Sequence, residues 1–240
     1  MPNDYFDFQQ FRINQSACAM KVSTDACLLG AATDLAGATR LLDIGTGTGL
    51  LALMAAQRNP VVEIEAVEIV AAAAAQAAAN VAASPWAARI RVRSASLAQF
   101  AATPPAPFSH MVCNPPFFRL SLPSVNAERR TARHVSSQSL SFAELADFAA
   151  SFLVPTGALT VLLPPPEMAR FEQATQAVGL SVAARLSVRH RPGARVTRHI
   201  SRFERDPTAV TEQELLIHGG ADAAYSTEFR ALLAGFYLAL

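Results

Sequence analysis

The chain has 240 residues, of which 51% are apolar and 16% charged, with a formal net charge of +1 at pH 7. That is enough apolar material to bury a substantial core in one domain, and neither a basic nor an acidic polyelectrolyte is implied. Cys18, Cys27 and Cys113 are an odd set with no CxxC pair, which argues against a disulfide framework and against a cysteine zinc site. Met1 to Gln10 carries Asp4 and Asp7 and lacks an apolar core, so it does not read as a secretory signal, and nothing reads as a membrane-crossing helix of ~20 residues. A soluble, cytoplasmic protein without metal is expected, as a monomer.

From Arg40 onward, short β-rich runs alternate with longer helical ones, the pattern of βαβ units around a parallel sheet. Leu41 to Ile44 reads as a strand, Leu50 to Gln57 as a helix, and Val61 to Val67 as a second strand after Pro60. Ala71 to Ala83 is nearly all alanine, which favours helix and points to a close-packed one. Strands follow at Arg89 to Arg93 and Ser109 to Cys113, then a helix at Leu140 to Phe152, a strand at Ala158 to Leu163, and a helix opened by Pro164 to Pro166. Leu180 to Val188 and Val196 to Phe203 flank Pro192-Gly193 and predict an antiparallel hairpin. Glu214 to His218 adds a further β run, and Tyr225 to Leu240 predicts a closing helix with Ser226 as its N-cap. No repeat and no long linker divides the chain, so residues 1–240 are read as one domain.

Two loops carry chemistry. The first is Asp43-Ile44-Gly45-Thr46-Gly47-Thr48-Gly49, a glycine turn between a buried strand and a helix. Glycine permits positive φ and close approach of backbone to a ligand, and this end of an open parallel sheet is where ligands bind. The spacing is not G-x-G-x-x-G, because Leu50 follows Gly49, so a pyrophosphate cradle is disfavoured. Asp43 would repel phosphate while tolerating a cation. Glu68, at the end of the second strand, stands where a carboxylate can accept both hydroxyl hydrogens of a ribose. Ser96 follows the third strand and could approach an adenine ring, or serve as an ordinary N-cap.

The second loop is Cys113-Asn114-Pro115-Pro116-Phe117-Phe118. Two successive prolines fix φ and remove two backbone donors, leaving a rigid segment with carbonyls to spare. The Asn114 side-chain oxygen and the Pro115 carbonyl could accept both hydrogens of a planar exocyclic amine, while Phe117 offers a face on which a base can stack.

These motifs resemble those of the Rossmann-like class I methyltransferases, specifically amino-methyltransferases with Asn-Pro-Pro-Phe or Asn-Pro-Pro-Tyr. Phe8-Gln9-Gln10-Phe11, Cys18 to Asp25, Leu50 to Met54, Ser84-Pro85-Trp86 and Phe236-Tyr237-Leu238 are further similar to stretches of the bacterial enzymes that methylate N6 of adenine 37 in valine tRNA. The resemblance runs from about Phe6 to the C-terminus. It implies a doubly wound, seven-stranded, mostly parallel sheet with a C-terminal antiparallel hairpin. It also implies S-adenosylmethionine as cofactor, held by Gly45, Gly47, Gly49 and Glu68, with residues 1–39, including Lys21, Thr24 and Asp25, covering it and residues 40–240 as the core. Asn114, Pro115, Pro116 and Phe117 would hold the target adenine. The pattern departs at Ser96, where the family generally carries Asp.

A tRNA partner is supported by local charge that the mean conceals. Seven arginines and one glutamate lie between Arg185 and Arg205, and Arg119, Arg129, Arg130 and Arg133 follow the second loop. Arg189, Arg191 and Arg195 complete the expected RNA-contacting set, by the planar donors that suit guanidinium to phosphate. The five histidines show no metal spacing. Three alternatives remain at this point: methylation of a glutamine side chain in a protein, methylation of DNA, and an RNA-binding module without activity.

Overall fold

In a computed structural model of the protein, residues 3–18, 20–115, 140–220 and 224–239 are described. The core is an alternation of parallel strands and helices. β3 (Arg40–Ile44), β4 (Glu63–Glu68), β5 (Ile90–Ser94), β6 (Phe108–Cys113) and β7 (Leu153–Leu163) run parallel. β8 (Ser181–Arg189) and β9 (Val196–Glu204) form the expected antiparallel hairpin, with β9 also antiparallel to β7. The sheet has eight strands rather than seven, because β10 (Thr211–Leu216) adds beside β8 in parallel, giving the order β10-β8-β9-β7-β6-β3-β4-β5.

Helices cover both faces. On one lie α1 (Thr24–Ala32), α2 (Leu50–Arg58), α3 (Ala71–Ala82) and α7 (Thr227–Leu233). On the other lie α4 (Leu97–Ala102), α5 (Phe142–Phe152) and α6 (Pro165–Ala177). Local chemistry sets their ends. Ser96 with Gln99, and Ser141 with Glu144, form reciprocal capping boxes, and Pro165 occupies the first turn of α6, where a missing N–H costs nothing.

The first forty residues contain two elements that periodicity did not announce. β1 (Tyr5–Asp7) and β2 (Arg12–Asn14) form a small antiparallel hairpin, and α1 has Cys27 to Ala31 buried in unbroken succession, so it lacks the one-sided pattern that marks a surface helix. The closing helix is also shorter than expected. Ser226 caps it as anticipated, accepting from the Phe229 amide at 3.0 Å, but the helix stops at Leu233. Beyond it, side-chain amides occupy the carbonyls: Gln9 Nε2 donates to Ala234 and Tyr237, and Gln57 Nε2 to Gly235. The two ends of the chain are thereby knitted together, with Phe8 bridging to Tyr237.

One side chain joins the N-terminal hairpin to the core. Asn80, 1% exposed in the otherwise alanine-rich α3, accepts from the Asn14 amide at 3.0 Å and donates to the carbonyls of Asn14 at 2.8 Å and Thr48 at 2.9 Å. Asn80→Ala would strand three backbone groups at once, and unsatisfied buried groups cost about 1–3 kcal/mol each before relaxation. The expected loss is about 2 kcal/mol of stability, read as a lower denaturant midpoint at unchanged m; an unchanged midpoint would show that the clamp contributes nothing.

Candidate active site

The register of the central strands places four loops side by side. Ile44 is the Cα partner of both Val67 on β4 and Cys113 on β6, and Glu68 is the partner of Ser94 on β5. Gly45 and Asn114 are therefore the first residues past a matched pair on adjacent strands, about one strand spacing of 4.8 Å apart where they leave the sheet. Glu68 and Ser96 leave the same edge on the opposite flank of the glycine turn.

The three glycines divide their tasks. All have positive φ, at 70°, 56° and 86° for Gly45, Gly47 and Gly49. A Cβ built on Gly45 or Gly47 meets nothing within 4 Å, so both border open space that a side chain would fill. Gly49 differs from expectation: it is the N-cap of α2, and its Cβ would lie 3.5 Å from the Ala77 methyl. Its role is the close approach of the turn to α3 at Ala77.

Glu68 braces the turn. Its Oε2 accepts from the Gly47 amide at 3.0 Å and its Oε1 from the Val70 amide at 2.9 Å, leaving a lone pair on each oxygen for further donors. The Cys18 thiol is raised by burial and then by the charge of Glu68, so the N-terminal segment passes close to this carboxylate. Asp43, by contrast, is wholly buried beneath the turn rather than facing a ligand. Its Oδ2 accepts from Thr46 Oγ1 at 2.6 Å and from the Ala52 amide at 3.2 Å, tying strand, turn and helix together, while Oδ1 has no partner among the described residues.

A cavity of about 460 Å³ opens from Gly45 past Ile69, Ser96 and Leu97 toward Phe148 on α5. Ser96 borders it, with its hydroxyl engaged as the cap of α4. Ile69, 43% exposed, was missed in the sequence; the only available signal was an apolar residue left uncovered just after Glu68. Asn114 is half-buried, and neither its side chain nor the Pro115 carbonyl has a hydrogen-bond partner among the described residues. Pro116, Phe117, Arg119, Arg129, Arg130 and Arg133 lie outside the described residues.

Two residues expected at the cofactor have other neighbours here. Lys21 turns to the N-terminus, donating to the Asn3 carbonyl at 3.3 Å and pairing with Asp4 at 3.7 Å. Thr24 opens α1 and lines a second cleft with His190 and His218 rather than the cavity at Gly45. Arg189 is also diverted, since Glu214 holds it at 2.6 Å and it donates to the Ala194 carbonyl. Among the described residues no cluster of His, Cys, Asp or Glu is placed to hold a metal, and no helix is long and apolar enough to cross a membrane.

Residues 19–163 match the methyltransferase small domain. The chain belongs to the methyltransferase small domain family. A relative from Dyadobacter fermentans, named tRNA1(Val) (adenine(37)-N6)-methyltransferase, is 39% identical over 239 residues and the match covers 98% of each chain. A relative of the same name from Pseudoalteromonas translucida is 40% identical, covering 97% of this chain and 98% of that one. Among solved structures, a protein described as a predicted O-methyltransferase from Agrobacterium tumefaciens superposes with a TM-score of 0.65 at 23% identity, over 88% of this chain and 96% of its own. A ribosomal protein L11 methylase from Lactobacillus delbrueckii gives 0.55 at 17%, over 80% and 83%. The solved structures share the Rossmann-like class I fold, and in this chain the glycine turn and Asn114 leave the same edge of its sheet.

Burial raises the Asp43 carboxyl to about 7; the hydrogen bonds from Thr46 and Ala52 oppose the rise and the charge of Glu68 adds to it. Aspartate in an unfolded chain titrates near ~3.9. Between roughly pH 4 and 7 the folded protein therefore holds a proton that the unfolded chain has released, and stability falls as pH rises through that window. Asp43→Asn is expected to flatten this part of the profile, measured as denaturation midpoints from about pH 4 to 8; identical slopes in both proteins would show that Asp43 does not titrate there.

Proposed function

We propose that this protein transfers a methyl group from S-adenosylmethionine to the exocyclic N6 amine of an adenine in tRNA, at position 37 beside the anticodon of valine tRNA. The observation that carries the reading is the Ile44–Cys113 register, which sets the open glycine turn beside an Asn114 amide and a Pro115 carbonyl without partners among the described residues. The names of the full-length relatives supply the substrate.

The residues present fit the cofactor. Gly45 and Gly47 face space that any Cβ would invade, and Glu68 keeps lone pairs for the two ribose hydroxyls while its present partners hold it in place. Ile69, Ser96 and Leu97 line the cavity and would border the adenine ring. When bound, S-adenosylmethionine supplies a methyl already activated on a sulfonium, whose departing thioether is neutral. Residues 1–39 would cover it, as the Asn80 clamp and the proximity of Cys18 to Glu68 suggest.

What the protein must add is position. Asn114 Oδ1 and the Pro115 carbonyl accept the two amine hydrogens, holding the nitrogen lone pair out of conjugation with the ring and toward the methyl. Phe117 would stack on the base, a contact typically worth ~1–3 kcal/mol. No strong base is needed before attack, and among the described residues none lines the cavity at Gly45 apart from exposed carboxylates on α5.

Asn114→Ala should leave cofactor affinity within about twofold and lower turnover by at least ~100-fold; unchanged turnover would remove Asn114 from the chemistry. Gly47→Val, at φ 56°, should instead abolish cofactor binding measured by calorimetry while the protein stays folded. Labelled methyl transfer to total RNA, total protein and DNA, followed by nucleoside analysis, should place the label in N6-methyladenine of tRNA. Label in protein or DNA would overturn the proposed substrate.

A further inference from the structure

Of the seven arginines between Arg185 and Arg205, five are already occupied. Arg185 pairs with Glu172 at 2.6 Å and Glu212 at 3.5 Å, Arg189 with Glu214 at 2.6 Å, and Arg198 with Asp25 at 2.8 Å. Arg202 pairs with Asp34 at 2.6 Å and Glu204 at 2.7 Å, and Arg205 donates to the Ala150 carbonyl. The high local charge read from the sequence is thus mostly cancelled by carboxylates that the fold brings from far along the chain. Arg191 and Arg195 are different. Both are exposed, in the turn between β8 and β9, and neither guanidinium has a partner among the described residues.

They border a cleft together with His190, Thr197 and His218, and a second cleft that shares those last three residues reaches Thr24 and Asp25 at the start of α1. Asp25, the one carboxylate bordering either cleft among the described residues, is taken up by Arg198. His218 is fixed by stacking on Tyr225 at 5.3 Å, and its buried Nδ1 lacks a partner among the described residues.

The topology decides what this cleft can reach. β7 runs parallel to β6, β9 antiparallel to β7 and β8 antiparallel to β9, so the β8–β9 turn emerges from the same sheet edge as Asn114 and the glycine turn. Three strand steps separate β6 from β8, ~14 Å at the usual spacing. The hairpin also outruns its neighbour: Leu163 at the end of β7 pairs with His199, whereas β8 and β9 continue to the Arg189–Val196 pair. Its tip stands three residues, ~10 Å, above the end of β7.

We propose that the cleft at this hairpin tip, formed by Arg191 and Arg195 with His190, Thr197 and His218, binds a backbone phosphate of the RNA whose target adenine lies at Asn114. With β7 running two residues past Val161, the partner of Cys113, and the tip three residues past β7, the cleft stands ~17 Å above and ~14 Å across from Asn114, ~22 Å in all, or about six nucleotides at a stacked rise of ~3.4 Å. The hairpin is a second grip that fixes the register of the strand, while the Asn114 loop takes the base. The inference rests on RNA being the substrate.

The test compares the full-length protein with its Arg191→Ala/Arg195→Ala double variant, both residues being exposed and outside the cofactor site. Direct binding of valine tRNA is measured from ~50 to 200 mM salt, alongside cofactor affinity. The double variant is expected to bind tRNA at least ~10-fold more weakly, with a salt slope shallower by about 1 to 2, and to bind cofactor as the wild type does. In turnover, KM for tRNA should rise while kcat holds, and Arg191→Lys/Arg195→Lys should recover part of the loss. Equal affinity and equal slope in the two proteins would overturn the phosphate cleft, even where the wild type methylates tRNA normally. Absence of methyl transfer to tRNA by the wild type would instead overturn the proposed function, and the binding comparison would still decide whether the cleft holds RNA.

Discussion

The in-register pairing of β3 with both of its parallel neighbours is the constraint on which the site depends. Leu41, Leu42, Ile44, Met111, Val112 and Cys113 are all buried, and they fill the two opposite faces of the sheet. A slip of one residue between β3 and β6 would exchange those faces along the whole strand, so the register is held by every buried side chain at once. The loops leaving the strands inherit that precision. Gly45, Glu68 and Asn114 need no long-range contact of their own to meet, because Glu68 ends its strand and the other two are the first residues beyond theirs, each strand's position being already fixed.

The glycine turn is less a flexible loop than a braced one. Asp43 holds it from below through Thr46 and Ala52, Glu68 holds it from the side through Gly47, and Asn80 holds Thr48 from α3. A carboxyl buried at Asp43 is costly, and its raised pKa expresses that cost. In exchange, a turn with three residues at positive φ keeps one shape, with two of its glycines facing open space and the third pressed on Ala77. Ala77 on α3 belongs to the same geometry. Larger side chains at its contact face would push the turn, and with it the N-terminal hairpin tied to Asn80, away from the sheet.

The parts of this arrangement legible in the sequence are those encoded locally. Alternating β and α periods, the glycines after Ile44, the prolines after Asn114 and the cap at Ser226 each state their structure within a few residues. Elements that depend on distant partners were not legible. α1 is apolar on all sides because it is packed between α2, α7 and the sheet, which leaves no period to read. The β run read at Glu214 to His218 is a strand at Thr211–Leu216, starting three residues earlier because its first four residues are polar and exposed and only the parallel pairing with β8 holds them in the sheet. Thr24 and Lys21 sit close in sequence to residues that approach Glu68, yet the start of α1 carries Thr24 to a separate cleft.

The arginine-rich end shows most clearly why charge along a chain is a poor guide to charge in space. Its carboxylate partners come from positions 25, 34, 172, 204, 212 and 214, five of them outside the stretch from Arg185 to Arg205. Exposed ion pairs contribute little stability singly. Their arrangement here has a geometric consequence instead. Arg185 and Arg189 link β8 to β10, Arg198 and Arg202 link β9 to α1 and its following turn, and Arg189 also closes on Ala194 inside the hairpin. A projecting two-stranded ribbon would ordinarily twist and flex, and ordering it against a polyanion would cost conformational entropy at the moment of contact. Riveted along its length and left with two guanidiniums at the tip, it meets a partner with its backbone already in shape.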